Sequence, residues 1–309
     1  MDFAKFLKPL SIDEFRHSHF PDDPYVRTGS DLTGDLVRDI PELASAETVL
    51  RSYRQTVSLL RKQGPHAAVV GGESAIPALG AGFTCYLKHV QRDVPGLVDL
   101  LGDACDVLGL PAGSMTAEVF CSDGASGVAM HSDFDVNFAM LLSGSKRWLL
   151  APNDSIVNQT SMCFPASRRQ PDPKQLHYAD APFPDRMPDG AREVTVGAGG
   201  LIFLPRGWWH ETYSSGPCLQ LNLVVKGPHW TSVLTTALRD YLLARPEWRQ
   251  YAYGMVGDGE RHEGAVAEFA GLIAELQRRL GDADPRALAE QLLAGLDHEA
   301  LEIGSSRRR

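Results

Sequence analysis

The residues whose types and spacing could do chemistry are His131 and Asp133, two positions apart in a strand-like segment. Alternate side chains of an extended strand point to the same face, so these two would converge on one point, where they could chelate a metal ion. His210, which ends the apolar segment 201–210 after a Pro-x-Gly break, is the best candidate for a third ligand. Two histidines and one carboxylate on one face of a metal form the ligand set of non-haem Fe(II) oxygenases.

Each motif on its own is weak. A single His-x-Asp is common, and a histidine after two tryptophans is more often a packed core side chain. The joint pattern carries the prediction, because both motifs lie at the ends of apolar strand-like runs with further polar residues between them.

Two of those polar residues are Asn137 and Lys146. Asn137 keeps the parity of His131 and Asp133, so an unbroken strand would point it into the same cavity. Lys146 opens the strand that returns after a Ser-Gly-Ser turn. A buried ammonium is costly without an anion opposite it, and a dicarboxylate bound to the metal would supply that anion. The alternative is that Lys146 turns outward with Arg147 as a solvated pair, and spacing alone leaves the two interpretations equal.

Taken together, these motifs resemble the JmjC-type 2-oxoglutarate-dependent oxygenases of the cupin superfamily. The resemblance is closest to the asparaginyl hydroxylase that inhibits hypoxia-inducible factor and to its bacterial relatives. That family has His-x-Asp, an asparagine six residues after the first histidine and a Gly-x-Lys with the lysine fifteen after it. It also has a Pro-x-x-Trp-Trp-His motif, a later asparagine and an upstream Tyr-Leu pair. The matching residues here are His131, Asp133, Asn137, Lys146, Pro205, His210, Asn222 and Tyr86.

The resemblance implies an enzyme and its cofactors. His131, Asp133 and His210 would hold Fe(II), while Tyr86, Asn137, Lys146 and Asn222 would bind the cosubstrate 2-oxoglutarate, whose far carboxylate pairs with Lys146. Such enzymes consume O₂, release succinate and CO₂ and most often hydroxylate an aliphatic C–H. The substrate would be a protein, a peptide or an amino-acid-derived small molecule. One departure is Val128, which stands where the family member has a cosubstrate-binding threonine.

Two other functions stay open at this point. One is a cupin metalloenzyme that does not use 2-oxoglutarate, for which an inward Lys146 would have no clear purpose. The other is a non-catalytic jelly-roll binding module, which the complete set of ligands argues against.

Composition limits the remaining classes. The 309-residue chain has a net charge of −9, which argues against a general nucleic-acid binder. Five cysteines without C-x-x-C spacing are typical of a reduced, cytoplasmic protein rather than a disulfide scaffold. The amino terminus carries no secretory pattern, and no apolar run reaches the length of a membrane span, so no membrane partner is expected.

The pattern along the chain predicts a mainly β fold with helices. Many short strands with Gly- and Pro-rich turns indicate a sandwich or barrel, and the resemblance makes this a double-stranded β-helix, the jelly-roll of the cupins. We expect a catalytic domain over residues 1–229, with its metal core at about 80–228 and amino-terminal helices and strands before it. A helical region over 230–309, with an apolar stripe along one helix, is a candidate dimerisation element through which the chain would form a homodimer.

Two local predictions complete the sequence reading. The Pro-rich insert 151–192 is either a lid over the site, with Arg168, Arg169 and His177 contacting substrate, or a surface excursion without a role. The apolar spacing over residues 46–62 predicts a helix.

Overall fold

A computed structural model describes residues 2–29, 32–61, 67–165, 172–257, 259–294 and 296. The chain divides into two compact units, Met1–Gly227 and Pro228–Arg309. The division lies close to the composition change that separates the strand-rich and helical parts of the sequence. No helix among the described residues combines the length and the apolar character needed to cross a membrane.

The first unit is built on two antiparallel sheets, as the sequence predicts. The larger sheet has eight strands in the order β1-β10-β7-β12-β5-β4-β2-β3, and the smaller has four in the order β6-β11-β8-β9. The strands are β1 (Tyr25–Arg27), β2 (Thr56–Leu60), β3 (Ala67–Val70), β4 (Thr84–Leu87), β5 (Met115–Asp123), β6 (Ser126–Ser132), β7 (Val136–Ser143), β8 (Ser145–Ala151), β9 (Arg192–Gly197), β10 (Leu201–Leu204), β11 (Trp209–Ser214) and β12 (Pro217–Val225). This architecture confirms the predicted jelly-roll with accompanying helices.

Strand alternation divides the apolar residues between two cores. Along β12, Leu219, Leu221 and Leu223 belong to a large cluster that includes Phe3, Phe15 and Leu97 from the amino-terminal half. The intervening side chains face the other way, toward a second cluster formed with strands of the smaller sheet. Because side chains alternate with a period of two, β12 contributes one face to the large cluster and the other to the jelly-roll interior.

The helices of the first unit lie mostly before the metal-binding segment. They are α1 (Ala4–Leu7), α2 (Ile12–Ser18), α3 (Leu32–Asp39), α4 (Ala46–Ser52), α5 (Ile76–Gly80), α6 (Gly96–Leu108) and α7 (Pro173–Leu176). A capping box starts α2: the Ser11 hydroxyl accepts from the Glu14 backbone N–H, and the Glu14 carboxylate accepts from the Ser11 N–H.

The helix predicted over residues 46–62 is wrong beyond Ser52. The chain leaves α4 at Tyr53 and continues as β2, in which Val57 and Leu59 are buried and their neighbours are not. A short apolar run fits a period of 3.6 and a period of two almost equally well. The β-sheet pairing of β2 with β3 and β4 decides the outcome, and that pairing is a tertiary contact.

The second unit is helical, with α8 (Trp230–Leu243), α9 (Glu260–Gly281) and α10 (Pro285–Ala294). A small cluster of Val233, Ala237, Leu292 and Leu296 joins the first and last of these. In α9, the predicted apolar stripe is present but remains open: Val266, Phe269, Ile273 and Leu280 are between 38% and 58% exposed.

The turn between β7 and β8 provides a test of the fold. Gly144 has φ +80°, and a Cβ there would collide with the backbone of Pro217. We expect Gly144→Ala to lower the free energy of unfolding by at least about 1–2 kcal/mol, the usual cost of a left-handed backbone for an L-residue. Gly102→Ala is the control, because this exposed glycine within α6 has open space around it and alanine favours helices by about 1 kcal/mol. Urea titrations measure both, and equal stabilities would contradict the assigned turn.

Candidate metal centre and cosubstrate pocket

The three predicted metal ligands lie together in the structure. His131 is near the end of β6, Asp133 follows in the connection to β7, and His210 is the second residue of β11. His131 and His210 are directly paired residues of the antiparallel β6–β11 ladder. Directly opposed residues project to the same face, so the two imidazoles face each other with ring centroids 4.0 Å apart.

The side-chain geometry suits a divalent metal. The His210 Nε2 and His131 Nε2 atoms lie 3.7 Å and 4.0 Å from Asp133 Oδ2, and one ligand atom from each residue falls within 4.8 Å of the others. Metal–ligand bonds of about 2.1 Å would place neighbouring ligand atoms about 3 Å apart. Side-chain rotations that move the ligand atoms by roughly 1–2 Å would therefore allow all three to coordinate one ion.

Backbone hydrogen bonds orient both imidazoles. His131 Nδ1 lies 2.8 Å from the Ala129 carbonyl oxygen, and His210 Nδ1 lies 3.0 Å from that of Trp208. A carbonyl accepts only, so each Nδ1 carries the proton and each Nε2 presents its lone pair to the cavity. Burial, followed by the neighbouring His131, lowers the pKa of His210 to about 4, so the neutral, metal-binding form prevails at neutral pH.

The strand argument for Asp133 and Asn137 is wrong, although both residues are at the site. The segment is not one unbroken strand, because β6 ends at Ser132 and β7 starts at Val136. Asp133 therefore reaches the histidines from a connection rather than by strand parity. Asn137 lies in β7, and its Nδ2 donates to Asp133 Oδ2 over 3.4 Å, so it holds the carboxylate in place.

A bulge in β6 changes what faces the cavity. Four residues of β6, Val128 to His131, span the same interval as three residues of β11, His210 to Thr212. The extra residue turns Val128 to the same side as His131. Thr212, which the sequence reasoning missed, is 3% exposed and accepts a hydrogen bond from the Val128 N–H at its Oγ1. Thr212 is the direct partner of Val128 across β11 and β6.

Lys146 is buried, so the outward alternative does not hold. Its side chain enters the jelly-roll interior, where Nζ donates to Gln220 Oε1 over 2.8 Å and lies near the rings of Phe120 and Trp148. Arg147 instead points outward and pairs with Glu193. Burial lowers the pKa of Lys146. Among the described residues, no carboxylate forms an ion pair with this ammonium.

Asn222 and Gln220 form one polar row on the inner face of β12. Gln220 Nε2 donates to Asn222 Oδ1 over 2.6 Å, and Gln220 also binds Lys146. Gln220 is a second residue that the sequence reasoning missed. Its signal was its parity with Asn222, two positions later in an otherwise apolar strand. The row connects the lysine at one end with Asn222 at the other.

Tyr86 lies on the inner face of β4, but its hydroxyl is engaged elsewhere. The phenol stacks on Phe120 with centroids 4.4 Å apart, and its O–H donates to Glu118 Oε2 over 2.6 Å. Burial raises the pKa of Tyr86 well above its usual value, so the phenol keeps its proton. Glu118 is the third residue that sequence reasoning missed, since one glutamate in a strand reads as an exposed side chain.

The insert 151–192 packs beside the metal ligands. Backbone hydrogen bonds link Ser132 and Cys163 in both directions, and the Phe164 ring lies 5.3 Å from that of His131. Of the predicted substrate contacts, His177 is exposed, whereas Arg168 and Arg169 lie outside the described residues. The function of the insert 151–192 as a lid over the site stays a prediction.

Comparison with known protein families identifies the domain that contains these residues. The family model for the cupin-like domain matches residues 50–226, which is more than half of the chain. The chain belongs to the cupin-like domain family. This match spans every predicted ligand and cosubstrate residue, from Tyr86 to Asn222.

Individual relatives of this cupin-like chain are more distant. The uncharacterized protein YxbC of Bacillus subtilis (strain 168) is 24% identical over 302 residues, which cover 95% of this chain and 90% of that protein. Escherichia coli ycfD superposes with a TM-score of 0.55 at 17% identity, covering 87% of this chain and 68% of ycfD. A structure of YcfD, described as a ribosomal oxygenase in complex with cobalt and 2-oxoglutarate, gives a TM-score of 0.51 at 16% identity, with 86% and 67% covered. Likeness at this identity establishes a shared fold.

The ligand triad leads to a binding prediction. Wild-type protein should bind one Mn(II) or Co(II) ion, and His131→Ala, Asp133→Ala and His210→Ala should each weaken binding by at least about tenfold, because each removes one of three ligands. His177→Ala is the matched control, since this histidine is exposed and is not one of the three clustered ligands. Calorimetric titration with each metal measures the affinities. An unchanged affinity in the Asp133→Ala protein would remove the triad assignment.

Proposed function

We propose that the protein is an Fe(II)- and 2-oxoglutarate-dependent oxygenase that hydroxylates an aliphatic C–H. The substrate is a protein, a peptide or an amino-acid-derived molecule, and the coproducts are succinate and CO₂. Family membership, the triad and the YcfD complex with cobalt and 2-oxoglutarate support this reaction.

The observation that carries the proposal is the buried ammonium of Lys146 in the same interior as the metal triad. Burying an ammonium without a carboxylate partner is costly, so the cavity is built for an anionic ligand. His210 pairs with Leu150 across β11 and β8, four residues from Lys146, which corresponds to about 13 Å along a strand. The lysine side chain and a five-carbon dicarboxylate bound to the metal would together span this interval.

The chain's own residues then divide the binding. Lys146 would hold the far carboxylate of 2-oxoglutarate, with Gln220 keeping the ammonium in place. Thr212 would donate a hydroxyl to the same carboxylate, in compensation for Val128. Asn222 and Asn137 lie at the metal end, where their amides would orient the keto-acid group and the Asp133 ligand. Bound iron with its cosubstrate would supply the oxidising chemistry, while the protein positions the substrate carbon and excludes water.

The Tyr86 phenol, predicted from the resemblance to bind the cosubstrate, is assigned differently. Its O–H donates to Glu118 rather than into the space beside Lys146. We therefore propose that Tyr86 supports the pocket wall by stacking on Phe120 and by fixing Glu118.

The two alternative functions have less support. A cupin without 2-oxoglutarate would leave the Lys146 ammonium without a purpose. A non-catalytic module would have no need for two imidazoles whose Nε2 lone pairs are directed by backbone carbonyls at one carboxylate.

Succinate formation distinguishes the three functions. Purified protein with Fe(II), ascorbate and O₂ should convert 2-oxoglutarate to succinate slowly on its own and faster with a cell extract, in which mass spectrometry should find products 16 Da heavier. The His131→Ala protein should do neither, because it lacks a ligand. Wild-type protein that binds the metal but releases no succinate above the His131→Ala level would refute the proposed reaction.

Substitution of Lys146 tests the cosubstrate directly. A charge-assisted hydrogen bond contributes about 1.5–3 kcal/mol, so Lys146→Ala should raise the KM for 2-oxoglutarate by roughly ten- to a hundredfold. Metal affinity should change little, because Lys146 is not a ligand. Lys146→Arg should restore part of the binding, since a planar fork does not match a site shaped for a compact ammonium. Arg147→Ala is the control. If succinate formation depends on the 2-oxoglutarate concentration in the same way for Lys146→Ala and Arg147→Ala, Lys146 does not bind the cosubstrate.

The state of the cysteines bears on the cellular compartment of the protein. The five cysteines are unpaired, which favours a reducing, cytoplasmic environment.

We propose that the open apolar stripe of α9 joins two copies of the chain. Phe269→Glu should then shift the mass measured by light scattering from dimer to monomer, whereas Ala267→Glu, on another face of the same helix, should not. A monomeric wild-type protein would contradict this assembly.

A further inference from the structure

Glu118 is a buried carboxylate on β5 that the proposed reaction leaves without a task. It is directly paired with Asn222 across β5 and β12, and both side chains face the jelly-roll interior. Its exposure is only 7%. Burial raises the pKa of Glu118, while Lys226 and the Tyr86 hydrogen bond act in the opposite direction.

The two oxygens of Glu118 are in different situations. Oε2 accepts the Tyr86 hydroxyl, which fixes the orientation of the carboxylate. The nearest cation to Oε1 is Lys226 Nζ, 4.0 Å away and beyond hydrogen-bonding distance. Among the described residues, Oε1 receives no hydrogen bond. Lys226 donates instead to Asp135 Oδ2 over 3.1 Å, and Asp135 lies two residues after the ligand Asp133.

The charged side chains around Glu118 favour binding of a cationic ligand. Glu118 and Asp135 share the partly buried ammonium of Lys226, which is closer to Asp135. The other cations that act on these carboxylates are Lys88, which is exposed, and Arg206, which is half-buried and acts on Asp135. The Asp133 carboxylate would be neutralised by the metal. Glu118 Oε1 therefore remains an anionic acceptor without a direct donor among the described residues, on a side chain that is 10% exposed.

We propose that Glu118 binds a cationic nitrogen group of the substrate, an ammonium or a guanidinium, and so selects the substrate class. This rests on the proposed function. The cation would donate to Oε1 while Tyr86 holds Oε2, and this anchors the substrate next to the open face of the triad. A charged donor matches the site better than a neutral amide, because hydrogen bonds between two ionised partners are about twice as strong as neutral ones.

A probe experiment tests this without knowledge of the natural substrate. The protein is loaded with Mn(II) and 2-oxoglutarate, which permits binding but avoids iron-dependent turnover. The probes are n-butylammonium and n-butylguanidinium, with 1-butanol and N-butylurea as neutral counterparts. Paramagnetic relaxation of the probe protons by Mn(II), corrected with Zn(II)-loaded protein, reports residence near the metal. The two cations together show which nitrogen group is preferred.

We expect the cations to be relaxed and to bind about tenfold more tightly than the neutral probes, as a charge-assisted bond implies. Glu118→Gln should reduce the cations to the level of the neutral probes, while electron paramagnetic resonance shows Mn(II) still bound. Tyr86→Phe, which keeps the carboxylate but frees its orientation, should lose part of the preference. Glu73→Gln, at an exposed glutamate, should retain all of it.

Three results would overturn the proposal. These are equal relaxation by cationic and neutral probes, absence of cation relaxation in the wild-type protein, and a cation preference that survives Glu118→Gln. The first two need no variant, so they decide the question even if a substitution prevents folding. Binding of 2-oxoglutarate to the Mn(II) protein is titrated in the same samples, so a failure of the cosubstrate assignment is distinguished from a failure of the cation site.

Discussion

The site depends on the pairing of β6 with β11. Antiparallel pairing places His131 opposite His210, and only in this register do the two imidazoles face each other. A shift of one residue would turn one histidine out of the cavity and one tryptophan into it, because side chains alternate along a strand. The backbone also fixes the tautomers, since both Nδ1 protons are donated to carbonyls two residues upstream. The same ladder therefore sets the positions of the two candidate histidine ligands, and the carbonyls beside them set which ring nitrogen is protonated.

The polar interior is organised by charge. A buried lysine and buried carboxylates each lower the stability of the fold when they have no partner. Here each belongs to a short network of hydrogen bonds. Lys146, Gln220 and Asn222 form one such network on β12 and β8. Tyr86 and Glu118 form another on β4 and β5, next to the Lys226–Asp135 pair. The first suits an anion and the second suits a cation, so one cavity could hold a dicarboxylate and a basic substrate without mixing their positions.

The bulge in β6 shows how the fold accommodates a departure from the family pattern. Without it, Val128 would face away from His131. With it, Val128 faces the cavity and Thr212 stands opposite on the neighbouring strand. The bulge thus brings Val128 and the Thr212 hydroxyl to the same side of the smaller sheet as the two histidines.

The sequence by itself determined the jelly-roll class and the identity of the three candidate ligands. The mainly β class follows from many short strands with Gly- and Pro-rich turns, and the resemblance to the cupin oxygenases makes it a jelly-roll. The candidate ligands follow from His-x-Asp and from a histidine after a Pro-x-Gly break. It did not determine whether Lys146 points inward, where the Tyr86 hydroxyl goes, or that Glu118 faces the cavity. Those depend on strand register, on the bulge and on the break between β6 and β7, which are set by pairing between distant segments. The helix predicted beyond Ser52 failed for the same reason, because a short apolar run takes its period from the strands it pairs with.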